Sequence, residues 1–349
     1  MGRPARAGRP TGGLPSAPMV ICIYGAGSIG CYVGGRLAAT GSEVIFIGRE
    51  RLARQIAGHG LTLTDWRGAA LRVPAPRYET APSAVAEADL VLVTVKSAAT
   101  AQAGDELASR LKPGAVVISF QNGLHNADLL RERLPGATVL AGMVAFNVVN
   151  QGDGRLHGGT EGGLEAQRHP SLAGYAAAFE RAGLPLVQHD DMAGVQAAKL
   201  LLNLNNAINA LSGVPLKAEL SQRAYRRCLA MAQREALRAY AAAGLTPVKL
   251  TPLPPGWIPA LLNTPDALFA RVAAKLLAID PLARSSMWED LEAGRTTEVD
   301  YLNGEVVALA RRHGTRAPAN ERLVALIRDA ERGGRRDWSG EELLTELSG

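Results

Sequence analysis

The sequence predicts an α/β fold in which an N-terminal, doubly wound parallel sheet is followed by a C-terminal, all-helical domain. Short β-prone segments alternate with helical patterns in the first half of the chain, and a glycine-rich turn follows the first segment. After about residue 190 only helical patterns remain. Alternation of strands and helices is typical of a parallel sheet with helices on both faces.

The elements of the first half are predicted from apolar runs and their spacing. The strands are expected at 19–24, 43–47, 89–95 and 115–119, and the helices at 29–40, 98–111 and 126–133. From 138 to 164 the chain is rich in glycine, and β-prone islands such as 155–160 indicate further strands whose order the pattern does not give.

The second half consists of long helical patterns interrupted by one stiff connection. Helices are expected at 192–211, 220–243, 265–277, 286–312 and 321–332. Between two of them, 246–259 contains five prolines, which exclude a helix interior there.

Composition limits the class of protein. The 349 residues weigh 36.7 kDa, and 47% are hydrophobic and 20% charged, as in a globular protein of two domains. The net charge of +5 is spread without a basic run, so a nucleic-acid partner is not expected. The three cysteines fit neither a disulfide framework nor a zinc site. Because no apolar run is long enough to cross a bilayer, we expect no membrane partner and a cytoplasmic location.

A phosphate-binding turn is predicted directly after the first strand. The segment has the pattern G-x-G-x-x-G and is formed by Gly25, Ala26, Gly27, Ser28, Ile29 and Gly30. This pattern between a strand and a helix is typical of a Rossmann-like dinucleotide site, because the first helical amides bind the pyrophosphate.

The end of the second strand indicates which dinucleotide is bound. An NAD site usually has an acidic residue there, whereas this chain has Arg49, which can bind a 2′-phosphate, with Arg51 and Arg54 nearby. We therefore predict NADP(H) as cofactor. The alternative is a solvated arginine cluster at the start of a helix.

One lysine lies in an apolar helical pattern. Lys199 is one of only six lysines, against 32 arginines, and Asn203 and Asn206 fall within about 40° of it on a helical wheel. A desolvated ammonium has a lowered pKa, which makes Lys199 a candidate general acid. The alternative is a structural lysine that reaches solvent or a carboxylate.

A second polar group occurs between residues 285 and 304. Ser286 with Glu289 fits a capping box, in which case Ser286 would start a helix. Glu298 and Asp300 are either site residues or ordinary surface charges. The six histidines have no paired spacing suited to a metal.

Together these motifs resemble the ketopantoate reductase family, also called 2-dehydropantoate 2-reductases, over about residues 19–327. The resemblance rests on the glycine turn and on the segments 93–97 (VTVKS), 121–123 (QNG), 199–203 (KLLLN), 285–287 (SSM) and 298–304 (EVDYLNG). Members of that family reduce ketopantoate to pantoate with NADPH, on the route to pantothenate and coenzyme A.

The resemblance implies roles for individual residues. Lys199 would be the general acid, and Glu298 would hold the substrate hydroxyl, support the lysine and contact the cofactor. The resemblance also implies that Asn203 and Ser286 bind the substrate. It implies that Asn122 lines the cleft for both cofactor and substrate. Lys96 and Arg49 would bind the cofactor.

The chain departs from the family pattern at two positions. The family usually has an asparagine eight residues after the lysine and often another three residues before the second serine, where this chain has Ala207 and Ala283. Asn206 is the candidate replacement for the first. The departures leave open a reductase of another 2-oxo acid, and a non-catalytic NADP(H) sensor is a third alternative.

The expected organisation follows from these assignments. A disordered leader is expected at 1–18, an NADP-binding Rossmann-like domain at 19–190, a helical substrate and catalytic domain at 191–335, and a C-terminal tail at 336–349. The expected partner is a small 2-oxo acid, and a homodimer is the candidate assembly.

Overall fold

A computed structural model of the chain describes residues 19–272 and 283–349. The predicted leader lies outside the described residues, as does the last part of the helix expected at 265–277. The structure combines a mixed α/β half with a helical half, which confirms the predicted fold class.

The strands all lie before residue 190 within the described chain, as the pattern predicts. They are β1 (Val20–Tyr24), β2 (Glu43–Ile47), β3 (Leu61–Asp65), β4 (Ala70–Val73), β5 (Arg77–Glu79), β6 (Leu90–Val93), β7 (Val116–Ser119), β8 (Thr138–Val144), β9 (Val148–Asn150), β10 (Arg155–Gly158), β11 (Leu164–Gln167) and β12 (Leu186–His189).

Eight of these strands form the main sheet, in the order β12-β11-β8-β7-β6-β1-β2-β5. All neighbours pair in parallel except β11 with β8. In β1, Ile21 and Ile23 enter one hydrophobic core and Cys22 and Tyr24 enter another, so both faces of the sheet are covered. The chain continues from β1 to β2 on one side, and after β5 it crosses back to place β6 on the other side of β1. Such a switch point is where open α/β sheets bind ligands.

A second, four-stranded sheet has the order β4-β3-β10-β9, and the sequence did not predict it. Its central pair joins β3 to β10, with Thr62 beside Arg155. The strands have three to five residues and several exposed side chains, so the apolar pattern is weak. Because β3 and β10 are separated by some ninety residues, no local sequence pattern indicates that they pair.

The α-helices of the described chain occur in both halves and are longest in the second. They are α1 (Ser28–Ala39), α2 (Glu50–His59), α3 (Thr100–Ala108), α4 (Asn126–Arg133), α5 (Ala176–Arg181), α6 (Met192–Asn203), α7 (Asn205–Ser212), α8 (Leu216–Ser221), α9 (Arg223–Ala242), α10 (Ile258–Leu262), α11 (Asp266–Val272), α12 (Ser286–Glu292), α13 (Asn303–Arg312), α14 (Pro318–Glu331) and α15 (Gly340–Ser348).

Helix α9 is the centre of the helical half and packs against α10, α13 and α15. Ala232, Ala236 and Ala239 on α9 are fully buried, which lets neighbouring helices approach closely. The continuous core around them contains most of the apolar side chains of the helical half. Burial of each large apolar side chain stabilises this core by about 1.5 to 3 kcal/mol.

Two helices expected to be continuous are divided, and those predictions were wrong. The first, expected at 192–211, is interrupted at Leu204 between α6 and α7, where three of four residues are asparagines, which favour helices poorly. The second, expected at 286–312, ends after α12. Gly294 has a φ of +60°, and the amides of Gly294 and Arg295 donate to the carbonyls of Leu291 and Asp290. This is a Schellman ending, for which glycine is the preferred residue.

The segment expected to be a C-terminal tail contains α15. Its start carries a capping box between Ser339 and Glu342, and Leu343, Leu344 and Leu347 are buried against the helical core. The sequence pattern of this element is short, so periodicity alone does not indicate a helix there.

Within the described residues, no helix is long and apolar enough to cross a membrane. The same part of the chain contains no group of three or more metal-ligating side chains placed to hold a metal ion.

Candidate active site

The glycine turn joins β1 to α1 at the switch point of the main sheet. Gly25 has a φ of +100°, and a side chain there would meet Val95 at 2.5 Å. A side chain at Gly30 would meet Thr94 Oγ1 at 2.5 Å. Gly27 is exposed, and the nearest atom to a Cβ built there is the Gly25 carbonyl at 3.9 Å. The first and third glycines are therefore required by packing, whereas the second leaves open space over the turn.

The start of α1 supplies donors for an anion at this open space. The first amides of a helix have no intrahelical acceptor, and Gly27 at the N-cap has no side chain to bind them. The positive end of the helix dipole lies at the same place. The turn predicted at Gly25 to Gly30 therefore fits the pyrophosphate of a dinucleotide.

Arg49 follows β2 beside this turn. The amides of Gly25 and Ala26 both donate to the carbonyl of Ile47, each at 2.9 Å, so the end of β2 is bonded to the turn. Two residues later, Arg49 is the exposed N-cap of α2. Its guanidinium forms no ion pair within the described residues, whereas Arg54 lies 3.8 Å from Glu50.

Lys96 lies in the loop after β6 and contacts the helical half. Its Nζ is 2.7 Å from Asp290 Oδ2 and donates to the carbonyl of Thr296 at 3.1 Å. Asp290 is largely buried and also accepts from Arg295 Nε at 3.0 Å. The ammonium for which the resemblance implies a cofactor contact thus forms an ion pair that the sequence did not predict.

Glu298 is at the centre of a polar network between the two halves. Its Oε1 accepts from the Ser97 amide at 3.0 Å and from Ser97 Oγ at 2.9 Å. Its Oε2 accepts from Asn122 Nδ2 at 3.1 Å, and Asn122 Oδ1 accepts in turn from Asn203 Nδ2 at 3.3 Å. The structure therefore brings together three predicted site residues, Glu298, Asn122 and Asn203.

Helix α6, which carries Lys199 and Asn203, forms hydrogen bonds with both halves of the molecule. Gln196 Nε2 donates to the carbonyl of Gly142 in β8 at 3.2 Å. From α9, the Tyr240 hydroxyl donates to the carbonyl of Ala197 at 3.2 Å. These bonds hold the helix along the boundary between the sheet and the helical core.

Lys199 is half-buried one helical turn before Asn203. Desolvation lowers the pKa of its ammonium below the usual value, and no charged group among the described residues contributes to the shift. The resemblance implies direct support by Glu298, but that carboxylate binds Ser97 and Asn122 instead. The connection between Glu298 and the helix of Lys199 runs through Asn122 and Asn203.

The capping residue of α12 is Ser285, so the assignment of the cap to Ser286 was wrong. Ser285 Oγ accepts from the amide of Trp288 at 3.1 Å, and Ser285 is buried. Ser286 is therefore the first helical residue and is exposed. Only Ser286 has a glutamate three residues later, so the capping-box pattern favours it. The cap at Ser285 is instead accompanied by hydrogen bonds from Ser285 to Asn206 and Asn209 of α7.

The departures from the family pattern lie in different environments. Ala207 is fully buried in the helical core, whereas the neighbouring Asn206 is half-buried. The carbonyl of Asn206 accepts from Ser285 Oγ at 3.1 Å, which joins α7 to the start of α12. Ala283 is half-buried, and its carbonyl accepts from the amide of Leu216 at 2.9 Å.

Several polar residues around Glu298 had no predicted role. They are Ser97, Thr100, Gln121 and Asn126, which are all buried and hydrogen-bonded to one another or to Glu298. Ser97 and Gln121 belong to the segments 93–97 and 121–123, and both follow the carboxyl end of a strand. Their place after a strand end, where α/β sheets bind ligands, was the sequence signal that could have identified them as site residues.

Comparison with known proteins gives the family of the chain. A family model described as ketopantoate reductase PanE/ApbA matches residues 21–171, and the model of its C-terminal part matches residues 191–331. A 2-dehydropantoate 2-reductase of Halobacterium salinarum is 34% identical over 90% of this chain and 100% of its own length.

Solved structures are similar over the same length. A PanE/ApbA family ketopantoate reductase from Ralstonia eutropha is 32% identical, with a TM-score of 0.78 over 90% of this chain and 99% of that one. A D-mandelate dehydrogenase solved with NADH and anilino(oxo)acetate is 21% identical, with a TM-score of 0.74 over 90% of this chain and 99% of that one, and shares the fold.

Proposed function

The chain belongs to the ketopantoate reductase family of oxidoreductases, and on this premise we propose that it reduces 2-dehydropantoate (ketopantoate) to pantoate with NADPH, in pantothenate and coenzyme A biosynthesis. The observation that carries the proposal is the network from Glu298 through Asn122 to Asn203, one turn from Lys199. It joins the helix of Lys199, an ammonium whose pKa is lowered by desolvation, to the strand ends where the dinucleotide turn lies.

The reaction requires a hydride, a proton and a site that holds the 2-oxo acid between them. NADPH, when bound at the glycine turn, would supply the hydride for the 2-oxo carbon. Lys199 donates a proton from its ammonium to the carbonyl oxygen as negative charge develops there, and solvent returns the proton afterwards. Acid catalysis of this kind accelerates a reaction by about a hundred- to ten-thousand-fold.

The other predicted residues have roles in binding. Asn203 lies one helical turn from Lys199 and is hydrogen-bonded to Asn122. The exposed Ser286 and the half-buried Asn206 lie on the helices α12 and α7. Glu298 accepts the substrate hydroxyl and helps to close the site around the cofactor. Lys96 contacts the cofactor from the loop after β6.

The preference for NADPH rests on Arg49. Its exposed guanidinium, without an ionic partner in the described part of the chain, is available to a 2′-phosphate beside the glycine turn. No acidic residue takes the place that binds the ribose hydroxyls in NAD sites.

A second candidate function is reduction of another 2-oxo acid. It is favoured by Ala207 and Ala283, which remove two amide groups that the family pattern places with the substrate. A non-catalytic sensor is disfavoured, because binding of NADP(H) alone needs neither a desolvated lysine nor a glutamate held between the two halves.

The test is a substrate panel with purified protein. Consumption of NADPH is followed by absorbance with ketopantoate, 2-oxoisovalerate, pyruvate and phenylglyoxylate. The proposal expects the highest kcat/KM with ketopantoate. Turnover of another acid alone would support the second candidate, and NADPH binding without any turnover would support the sensor.

We also propose the organisation expected from the sequence, with an NADP-binding domain at 19–190 and a helical substrate domain at 191–335. A cytoplasmic location is proposed with it. Expression of residues 19–190 alone, followed by titration with NADPH, tests the boundary of the first domain.

A further inference from the structure

We propose that Ser97 is a positioning residue for the reaction, which fixes the carboxylate of Glu298 through two hydrogen bonds. The inference deepens the proposed function and rests on it. Ser97 lies in the sheet half and Glu298 in the helical half, 201 residues later. The contact therefore joins the two halves and orients the carboxylate at the same time.

The first step of the argument is that Glu298 Oε1 is held by one residue. The amide of Ser97 donates at 3.0 Å and its hydroxyl at 2.9 Å. Two donors on one oxygen restrict both the position and the rotation of a carboxylate, and hydrogen bonds to a charged acceptor are among the strong ones. The second oxygen remains directed at Asn122, on the side of Asn203 and α6.

The second step is that buried neighbours direct the Ser97 hydroxyl. Asn126 Nδ2 donates to Ser97 Oγ at 3.1 Å and also to the carbonyl of Asn122 at 2.5 Å. The hydroxyl of Ser97 has two acceptors within reach of its single proton, the carbonyl of Asn122 at 3.1 Å and Glu298 Oε1 at 2.9 Å. A carboxylate is the stronger acceptor, and the carbonyl also accepts from Asn126, so we assign the proton to Glu298.

The third step is that Asn126 is itself held by a hydrogen bond with the buried Thr100, which in turn is bonded to the buried Gln121. Gln121 Nε2 donates to Thr100 Oγ1 at 2.7 Å. The single proton of that hydroxyl has two acceptors, Asn126 Oδ1 at 2.7 Å and the carbonyl of Ser97 at 2.8 Å. All of these groups are buried, and hydrogen bonds in such a series strengthen one another. The whole series ends at Glu298, so a buried structure in the sheet half determines the geometry of a carboxylate supplied by the other half.

The backbone of Glu298 is fixed independently, which isolates the role of Ser97. The amide of Thr297 donates to Glu331 Oε1 at 2.8 Å, and the amide of Val299 donates to Thr297 Oγ1 at 3.2 Å. Loss of the Ser97 hydroxyl should therefore release the side chain of Glu298 and leave its backbone in place.

The test compares three variants at one position with a matched control. Ser97→Ala keeps the amide and removes the hydroxyl, Ser97→Cys keeps the size with a weak donor, and Ser97→Thr restores the hydroxyl. The control is Ser109→Ala, which changes an exposed serine of the same region. Circular dichroism and NADPH titration confirm that each variant is folded and binds the cofactor.

We expect kcat to fall about ten- to hundred-fold in Ser97→Ala and Ser97→Cys, as for loss of a hydrogen bond to a charged group. The KM for NADPH should change less than about two-fold, and Ser97→Thr should recover most of kcat. In a Glu298→Ala background, Ser97→Ala should lower kcat no further, because Ser97 acts through that carboxylate.

Three results would overturn the inference: wild-type kcat in Ser97→Ala, no recovery in Ser97→Thr although it folds and binds NADPH, or an equal loss in the Glu298→Ala background. These results leave the activity of the wild type intact. A wild-type protein that reduces no 2-oxo acid would instead refute the proposed function, and the role of Ser97 would fall with it.

Discussion

At the scale of single residues, the environment of a charge determines its chemistry. Lys199 and Arg49 are both cations, but Lys199 is desolvated on α6 and Arg49 is exposed at the start of α2. A desolvated ammonium releases its proton more readily, whereas an exposed guanidinium stays charged and binds phosphate. Each residue therefore supports a different part of the proposed reaction.

Lys199→Ala should remove most turnover and keep cofactor binding. We expect kcat to fall about a hundred- to ten-thousand-fold, because the variant lacks the ammonium that donates the proton in the proposed reaction. Steady-state rates and NADPH titration measure the two properties separately. Lys217→Ala, at an exposed lysine of α8, is the control, and unchanged turnover in Lys199→Ala would exclude this residue as the acid.

Arg49→Ala should weaken NADPH selectively. One charge-assisted hydrogen bond contributes about 1.5 to 3 kcal/mol, so the ratio of kcat/KM for NADPH over NADH should fall about ten- to hundred-fold. Arg72→Ala, an exposed arginine in β4, should leave the ratio unchanged. Equal weakening of both cofactors would argue against contact with the 2′-phosphate.

At the scale of elements, buried polar groups join the helices that carry the proposed substrate residues. Asn209 on α7 donates to Glu219 Oε2 on α8 at 2.7 Å, and its Oδ1 accepts from the amide of Ser285 at 2.9 Å. Ser286 follows directly on α12. A bond network inside the helical core thus determines where α12 begins.

Glu219 makes the stability of this core dependent on pH. Burial raises its pKa from 4.5 to about 8, so the folded protein keeps a proton that the unfolded chain releases above about pH 4.5. Stability therefore decreases by up to about 1.4 kcal/mol per pH unit between these two values and loses no more above the higher one.

Glu219→Gln should remove that part of the pH dependence, since glutamine has no proton to release and retains a hydrogen bond to Asn209. Urea unfolding at pH 5, 7 and 9 should show that the variant gains stability relative to wild type as the pH rises. Glu180→Gln, at an exposed glutamate of α5, is the control. Parallel pH curves for Glu219→Gln and wild type would contradict the prediction.

At the scale of the whole molecule, the two halves meet through the loop after β6 and the segment after α12. Lys96 pairs with Asp290, which lies in α12, and Ser97 binds Glu298, which lies after the end of α12. Two adjacent residues of the sheet half therefore contact two carboxylates of the helical half. The Schellman ending at Gly294 is what frees Glu298 from a helix and lets it reach across.

Asp290→Ala should loosen this junction without unfolding either half. A partly exposed ion pair contributes at most about 1 kcal/mol, so we expect amide hydrogen exchange in residues 94–100 to rise up to about five-fold. Mass spectrometry of peptides from that loop measures it. Asp300→Ala removes an ion pair with Arg328 within the helical half and should leave the loop unchanged. Equal protection in Asp290→Ala would show that the ion pair does not hold the junction.

The sequence by itself determined the fold class, the glycine turn and the polar residues from which the site is built. These are local properties, because side-chain periodicity and the backbone freedom of glycine act within a few residues. The tertiary structure alone decided that Ser285 and not Ser286 caps α12, that Glu298 binds Ser97, and that β3 pairs with β10. Such contacts join residues far apart in the chain, and the free energy that selects them comes from packing and shared burial, which no local pattern contains.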